Sequence, residues 1–557
     1  MIIHLKGMDD FIAQLTSSGF QGSTDISSST LDVYSHDASL FEIRPKLIVF
    51  PKNSRDLKIL IKSVNAQKKT NKNLSLTARG GGSCMSGGTL NDSIIVDFTK
   101  HFNSTLNIGP SSAHVQPGIY YRDFEKATLK YGALMPSFPA SRELCTIGGM
   151  VANNAGGEKS LKYGKTIDFV TALKVMLADG NEYEVKPLNK HELERKITQK
   201  NFEGQMYKQI FKLIEDNYEQ IKAAKPRVSK NSTGYNLWDV WDKNTGIFDL
   251  TKLFVGSQGT LGLVTEVGFR LVKQEKYSGI LVAFVKDMKN LGEIINTVLS
   301  HKPTSFESFD NYTLNLSLRF FPYFRKSLGW WGLIKLGISL LPDLLILTRG
   351  IPKLILLIEF TGDEQEEVNQ KITAAKESLK RFKLEALEED NTEAKAWKFR
   401  IMRRESFNLL RKKVKDKHTA PFIDDLVVPP ENLPEFLPKL RKIINKHKLL
   451  ATVAGHMGEG NFHIIPLMEL EKKSERDKLL PAMKEVNELV LKYGGSLSGE
   501  HNDGLVRGPW LKQMYGSEVL DLFKKTKAIF DPEDIFNPHK KTDADWGYSY
   551  SHIRKNF

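Results

Sequence analysis

The chain has 557 residues, 40% hydrophobic and 10% aromatic, which at about 100–200 residues per domain fills several packed domains and excludes a disordered polymer. Lysine and arginine number 80 against 66 aspartates and glutamates, a surplus of +14 that no nucleic-acid motif accompanies, so nucleic acid is not expected as a partner. Only two cysteines, Cys84 and Cys145, are present, which excludes a disulfide scaffold, a four-cysteine zinc site and an iron–sulfur cluster carried by this chain.

The opening residues Met1 to Asp10 lack a basic stretch followed by an apolar core and a small-residue cleavage site, so a cytoplasmic location is expected. From about residue 46 to 100 the pattern reads strand, helix, strand: Leu47 to Pro51, then helical apolar spacing over Asp56 to Asn65, then Leu74 to Ala78. A glycine-rich turn follows at Arg79, Gly80, Gly81, Gly82 and Ser83 and continues to Thr89, before another apolar strand over Ser93 to Asp97. Backbone amides of such a loop cradle an anionic group, because absent side chains permit close approach. It matches neither the Walker lysine pattern nor a nucleotide fingerprint opening a helix, and alone it reads equally well as a surface turn.

Two further segments share that texture. Cys145 to Gly157 holds four glycines and two asparagines without a charge, which favours close backbone approach to a bulky planar partner. Phe254 to Val267 repeats the glycine-and-strand pattern about 100 residues later. Three separated loops imply one extended ligand.

In order and spacing the three loops resemble the FAD-binding oxidoreductases of the vanillyl-alcohol-oxidase, or PCMH, type, and more closely the D-lactate dehydrogenase and glycolate-oxidase D-subunit branch. The resemblance implies an α+β fold: an N-terminal segment 1–41, a two-lobed FAD-binding domain over 42–273, a substrate cap domain over 274–500 with the FAD-linked oxidase C-terminal fold, and a segment 501–557 that returns to the FAD domain. It further implies that Arg79, Gly80, Gly81, Gly82 and Ser83 hold the pyrophosphate, and that Thr146, Gly148, Gly149, Asn153, Gly156, Gly262, Val264 and Asn537 contact FAD; for Asn537, capping a final turn is the plainer alternative. Some members tether FAD through a histidine in the first loop. Ser83 stands there, so non-covalent FAD is expected, and Cys145 reads as a buried, inert thiol or, alternatively, as a thioether tether. Gln258 replaces the glutamate usual in the family's Gly-Ser-Glu-Gly-Thr signature.

Between about 275 and 500, amphipathic helical stretches (363–380, 433–447) alternate with apolar strands such as Leu354 to Phe360. Near the end stand Gly455-His456-Met457-Gly458-Glu459-Gly460-Asn461-Phe462-His463 and Ser498-Gly499-Glu500-His501-Asn502-Asp503-Gly504. His456, His463 and Glu500 make a two-imidazole, one-carboxylate set suited to a divalent metal, with glycines that let the loop double back; satisfied polar residues are the alternative. The family pattern, Gly-His-x-Gly-Asp-Gly-Asn-x-His and then Gly-Glu-His-Gly, favours the metal, zinc or manganese, although Glu459 replaces its aspartate and Asn502 its final glycine. His501 is the candidate general base for an alcohol whose hydride leaves for flavin. Trp397-Lys398-Phe399-Arg400 matches the motif that positions substrate carboxylates in this branch, so Arg400 is expected to hold one, with Arg403 and Arg404 as second choices and a solvated basic face over Lys395 to Lys417 as the competing reading. Asp424 and Asp425 read as orienting groups.

An apolar insert at about 319–353 carries Trp330 and Trp331 but is interrupted by Lys335, Pro342 and Asp343, so no uncharged transmembrane span exists in it. Its two readings are a hairpin in the headgroup layer on the inner face of a membrane and a helix pair packed on the cap. The resulting expectation is an FAD-linked dehydrogenase that oxidises a D-2-hydroxy acid to the 2-oxo acid and passes electrons to a quinone or another carrier. Its rivals are an oxidase of another alcohol using oxygen, a metal-dependent hydrolase without flavin, and a basic membrane-associated binding protein.

Overall fold

The computed structural model describes residues 2–311, 329–331, 352–382, 384, 386–390 and 417–556, and the fold is mixed α+β. The first lobe forms where the chain alternates buried strands with one amphipathic helix. Leu47–Phe50, Ile94–Asp97 and Leu76–Arg79 pair in parallel, with Ser23–Asp25 antiparallel on the outer edge. Helix Ser54–Lys68 is capped by Asn53, whose side chain accepts from the Asp56 amide, and it buries Leu57, Leu60, Ile61 and Val64 on the face that the 3.6-residue repeat aligns. Parallel strands buried on both faces read as unbroken apolar runs, as Ile94-Ile95-Val96 does.

The second lobe is a five-stranded antiparallel sheet in the order Thr105–Ile108, Ser112–Val115, Leu263–Arg270, Val170–Met176, Glu182–Val185. Helix Phe202–Asp216 and the C-terminal helix Leu511–Phe530 bury their apolar residues in the same core. After that helix the chain returns to the first lobe, where the Leu76 amide donates to Ile535 O and the Asn537 amide to Leu76 O.

The third unit is an eight-stranded sheet whose described pairings are all antiparallel: Ala386–Asp390, Tyr277–Val285, Leu354–Gly362, Ser305–Asp310, Leu450–His456, Asn461–Met468 and His418–Thr419, with Leu426–Val427 also on Asn461–Met468. Strand alternation divides its two faces. Leu356, Ile358, Phe306, Val453 and Ile464 pack in one core with helices Leu291–Ser300, Gln365–Leu379, Leu433–Lys446 and Leu479–Lys492, whereas Leu357, Glu359, Glu307, Ala454 and Ile465 face the opposite way into a cavity. Among the described residues no helix is long and apolar enough to cross a membrane. Most of the 319–353 insert lies outside the described residues, as do Trp397, Arg400, Arg403 and Arg404.

Candidate active site

A cavity of about 1350 Å³ lies between the two lobes and that polar sheet face. Arg79, Gly80, Gly81, Gly82, Ser83, Thr146, Gly148, Gly149, Asn153, Gly262 and Val264 line one side, and Glu307, His456, His463, Glu500 and His501 line the other. The amides of Gly80, Gly81, Gly82 and Ser83 donate to no protein acceptor among the described residues, which leaves them for an anionic ligand. A Cβ on Gly80 would come within 2.1 Å of Thr146 Oγ1, so only glycine lets the first loop lie this close to the second. The Arg79 guanidinium is committed elsewhere: it donates to Tyr34 O at 3.1 Å and His36 O at 2.7 Å.

The second glycine-rich segment is a short helix, Ile147–Asn153, rather than an open loop. Thr146 caps it by accepting from the Gly149 amide, and Asn154 ends it with φ +49°. Two expected cofactor contacts lie off the cavity wall. Gly156 packs against Ser160 and Glu500, and Asn537 is buried with its side chain donating to Gly88 O at 2.9 Å and Gln258 O at 2.6 Å while Thr77 donates to it. Cys145 is buried on the cavity wall, and burial pushes its thiol up to about 12, which disfavours the thiolate.

The metal-type residues converge because of a hairpin. Leu450–His456 and Asn461–Met468 pair with Ala454 opposite His463 and His456 opposite Asn461, so the two imidazoles are diagonal neighbours on one face with ring centroids 5.4 Å apart. Gly460, at φ +66°, closes the turn where any Cβ would meet Val428 O at 1.8 Å. Ligand atoms of His456, His463 and Glu500 lie within 4.8 Å of one another. Each imidazole has a carboxylate behind it: Glu307 Oε1 is 2.7 Å from His456 Nδ1, and Asp424 Oδ1 is 3.2 Å from His463 Nδ1. Both Nε2 atoms thereby point into the site, where His456 Nε2 lies 3.3 Å from Glu500 Oε1; an outer carboxylate in this position fixes a ligating histidine's tautomer and orientation.

Asp424 Oδ2 also stands 2.7 Å from His501 Nδ1, and His463 and His501 stack at 5.1 Å. Asp424, His463 and His501 thus form a second cluster of metal-type donors that shares His463 with the first. Burial disfavours charge on His501, but Asp425 and Asp424 outweigh it and raise its pKa to about 9. His456 is likewise raised to about 9, burial being outweighed by Glu307 and Glu500. Burial opposes ionisation of Asp424 too, yet the facing His501 and His463 hold it well below the usual carboxylate range. Asp425 orients backbone as well, accepting from the Glu500 amide at 2.9 Å and the His501 amide at 2.7 Å.

Sequence reasoning missed two participants. Lys230 is fully buried with its Nζ 2.5 Å from Glu500 Oε1 and 2.7 Å from Glu459 Oε2, so Glu459, one of the departures from the family pattern, serves as a counter-charge. Glu307 lies in Ser305-Phe306-Glu307-Ser308-Phe309-Asp310, where polar and apolar residues do not alternate, so no period-two pattern marks the face it occupies. The other departure, Asn502, adopts φ +64° and turns its side chain away from the cavity.

Models of two families match the chain: "FAD binding domain" at residues 45–186 and "FAD linked oxidases, C-terminal domain" at residues 274–541. Among curated proteins it is similar to a D-2-hydroxyglutarate dehydrogenase of Pseudomonas putida (28% identity over 95% of this chain and 51% of that protein). It is also similar to the glycolate oxidase subunit GlcD of Bacillus subtilis (26%, 91% of each) and to a D-lactate dehydrogenase of Archaeoglobus fulgidus (25%, 91% of this chain and 95% of that protein). The chain spans about half the length of the first dehydrogenases it matches. Solved p-cresol methylhydroxylase with substrate bound shares the fold at TM-score 0.67 and 14% identity, covering 96% of both chains. The fold of 4-ethylphenol oxidase from Gulosibacter chungangensis is similar too, at TM-score 0.66 and 14% identity over 97% of both chains.

Proposed function

The chain belongs to the FAD-linked oxidoreductases of PCMH type, in the branch of the D-lactate dehydrogenases and glycolate oxidase D-subunits, and from that premise we propose that it oxidises a D-2-hydroxy acid to the 2-oxo acid. The observation that carries this reading is the placement of His501 and the His456, His463, Glu500 set on the cavity wall facing the three glycine-bearing segments. FAD, when bound, supplies a hydride acceptor. The loop Gly80 to Ser83, with its undonated amides, is the part of the chain suited to its pyrophosphate, and the absence of a histidine at Ser83 favours non-covalent binding.

His501 acts on the substrate hydroxyl. Asp424 takes Nδ1, so Nε2 is the atom that accepts the proton. His456 Nε2, His463 Nε2 and a Glu500 oxygen would hold a divalent metal, zinc or manganese, which polarises that hydroxyl when bound. Charge supports this assignment: Glu307, Asp424, Asp425, Glu459 and Glu500 are buried around three described cationic side chains of lysine or arginine, Lys165, Lys230 and Arg507. The same excess of carboxylates holds the protons on His456 and His501, and a cation beside them would draw both imidazoles back toward neutrality. We assign the substrate carboxylate to Arg400.

The FAD-binding lobes on this reading are 42–273, the cap 274–500, and 501–557 the returning segment. Electrons leave to a quinone or another carrier, and the exposure of Trp330 (63%) and Trp331 (84%) supports a docking of the insert on the inner face of a membrane. The test is an anaerobic flavin spectrum titrated with D- and L-lactate, glycolate and D-2-hydroxyglutarate, before and after chelation. Bleaching by a D-acid that chelation abolishes is the expected result; flavin that none of these acids reduces would overturn the substrate class.

A further inference from the structure

Residues 501–505 carry His501 and touch all three glycine-bearing segments of the flavin lobes. Ser86, in the first, donates through Oγ to His501 O at 3.0 Å and accepts through its carbonyl from the Leu505 amide at 2.8 Å. Gln258, in the third, accepts from the Gly504 amide at 2.8 Å while its Nε2 donates to Asn153 Oδ1 at 3.1 Å and Ser86 Oγ at 3.3 Å. Asn502 donates to Gly256 O at 2.9 Å and to Asn153 O at 3.3 Å, in the second segment, and its Oδ1 accepts from Lys541 Nζ at 2.8 Å.

Both amides are buried, and both sit where a side chain is disfavoured, Gln258 at φ +54° and Asn502 at φ +64°. A backbone held in the left-handed region by non-glycine residues persists only where surrounding bonds over-determine it. Here those bonds join the His501 segment to the flavin lobes. At both places the amide donates and accepts at once, and at Gln258 it is the accepting oxygen that binds the Gly504 amide.

We propose that Gln258 and Asn502 are positioning residues that set His501 relative to the flavin lobes, so that the carbonyl side of the base and the residues after it are fixed by those lobes while the cap holds its amide, through Asp425, and its imidazole, through Asp424. The proposal rests on the reading of His501 as the base. It also accounts for two of the departures from the family pattern, Gln258 and Asn502, as one seam rather than as unrelated substitutions.

Hydrogen exchange and flavin reduction together test it on the FAD-loaded chain, with Gln258→Leu, Gln258→Glu, Asn502→Gly and His501→Ala. Amides of 500–505 in Gln258→Leu and Asn502→Gly are expected to exchange about five to ten times faster, the factor that one or two buried hydrogen bonds carry, with 147–157 unchanged. Gln258→Glu keeps the acceptor for the Gly504 amide and should stay within about twofold in that segment. With D-lactate or D-2-hydroxyglutarate as reductant, the limiting rate of flavin reduction in Gln258→Leu and Asn502→Gly should fall about tenfold to a hundredfold while the substrate dissociation constant moves far less. Unchanged exchange at 500–505 in both variants overturns the proposal, as does a uniform rise across all three segments with loss of FAD. Faster exchange at 500–505 in variants of a chain whose His501→Ala form reduces flavin normally keeps the seam and removes His501 as the base.

Discussion

Glu307 stands directly across the sheet from His456, the two strands pairing these residues in register, and its Oε1 lies 2.7 Å from His456 Nδ1 with both side chains buried. A ligating imidazole held this way rides on a rigid sheet rather than on a loop, and its remaining nitrogen keeps one direction. Loss of an outer carboxylate of this kind lowers metal affinity by about 10–100-fold. Glu307→Ala should therefore weaken zinc or manganese binding by that factor in chelator competition, and Glu307→Gln, which keeps an oxygen acceptor in the same place, should weaken it less. Equal affinity in all three chains would show that His456 is oriented by something else.

Asp424 has one oxygen for His463 and the other for His501, so its replacement separates two consequences. In Asp424→Asn the amide oxygen can still receive one imidazole N–H, but its nitrogen cannot accept from the other. The expected outcome is a fall in the limiting rate of flavin reduction of at least about a hundredfold with FAD retained, since a base in the wrong tautomer costs orders of magnitude. His501→Ala should stop substrate reduction of the flavin and leave the oxidised flavin spectrum in place. Stopped-flow absorbance reads both. Undiminished reduction in His501→Ala would assign the proton to another group.

The fold and much of the site were legible because their signals are local. Ile94-Ile95-Val96 beside a glycine turn, the amphipathic repeat in Leu57, Leu60, Ile61 and Val64, and the histidine pair flanking Gly458 and Gly460 can each be recognised within a dozen residues. What escaped was set by pairings distant in sequence. Lys230 and Glu500 are 270 positions apart in sequence and Glu307 and His456 are 149 apart, and nothing near Lys230 marks it as buried. Helix Ile147–Asn153 was hidden for a different reason: its glycines argue against a helix, and the Thr146 cap and tertiary packing of Ile147, Met150 and Val151 override that preference.

Gly80 supplies a steric prediction. A methyl group there would lie 2.1 Å from Thr146 Oγ1, and the same side chain caps helix Ile147–Asn153, so the clash cannot be relieved by rotating Thr146 without uncapping the helix. Gly80→Ala should raise the FAD dissociation constant by about tenfold or more, since about 1.4 kcal/mol is a factor of ten, measured by flavin fluorescence on reconstitution. The companion change Thr146→Ser keeps the cap and removes only a methyl, and it should bind FAD nearly as the unaltered chain does.

Lys230 gives the last prediction, and its sign depends on which partner is removed. Its ammonium is buried between Glu459 and Glu500, and those carboxylates outweigh the desolvation that burial imposes, so the lysine stays charged. Lys230→Met leaves two buried carboxylates without their shared cation, a change that costs about 3–5 kcal/mol when a buried pair is broken from one side. The metal-free chain should lose several degrees of Tm. A divalent cation partly replaces the missing charge, so adding zinc should restore more stability to Lys230→Met than it adds to the unaltered chain. Removing charge from both sides, in Lys230→Met with Glu459→Gln, should recover part of the loss in the metal-free protein, because only Glu500 is then left to be compensated. Calorimetry with and without chelator distinguishes these cases, and a Tm that falls equally with and without zinc would show that Lys230 acts by packing alone.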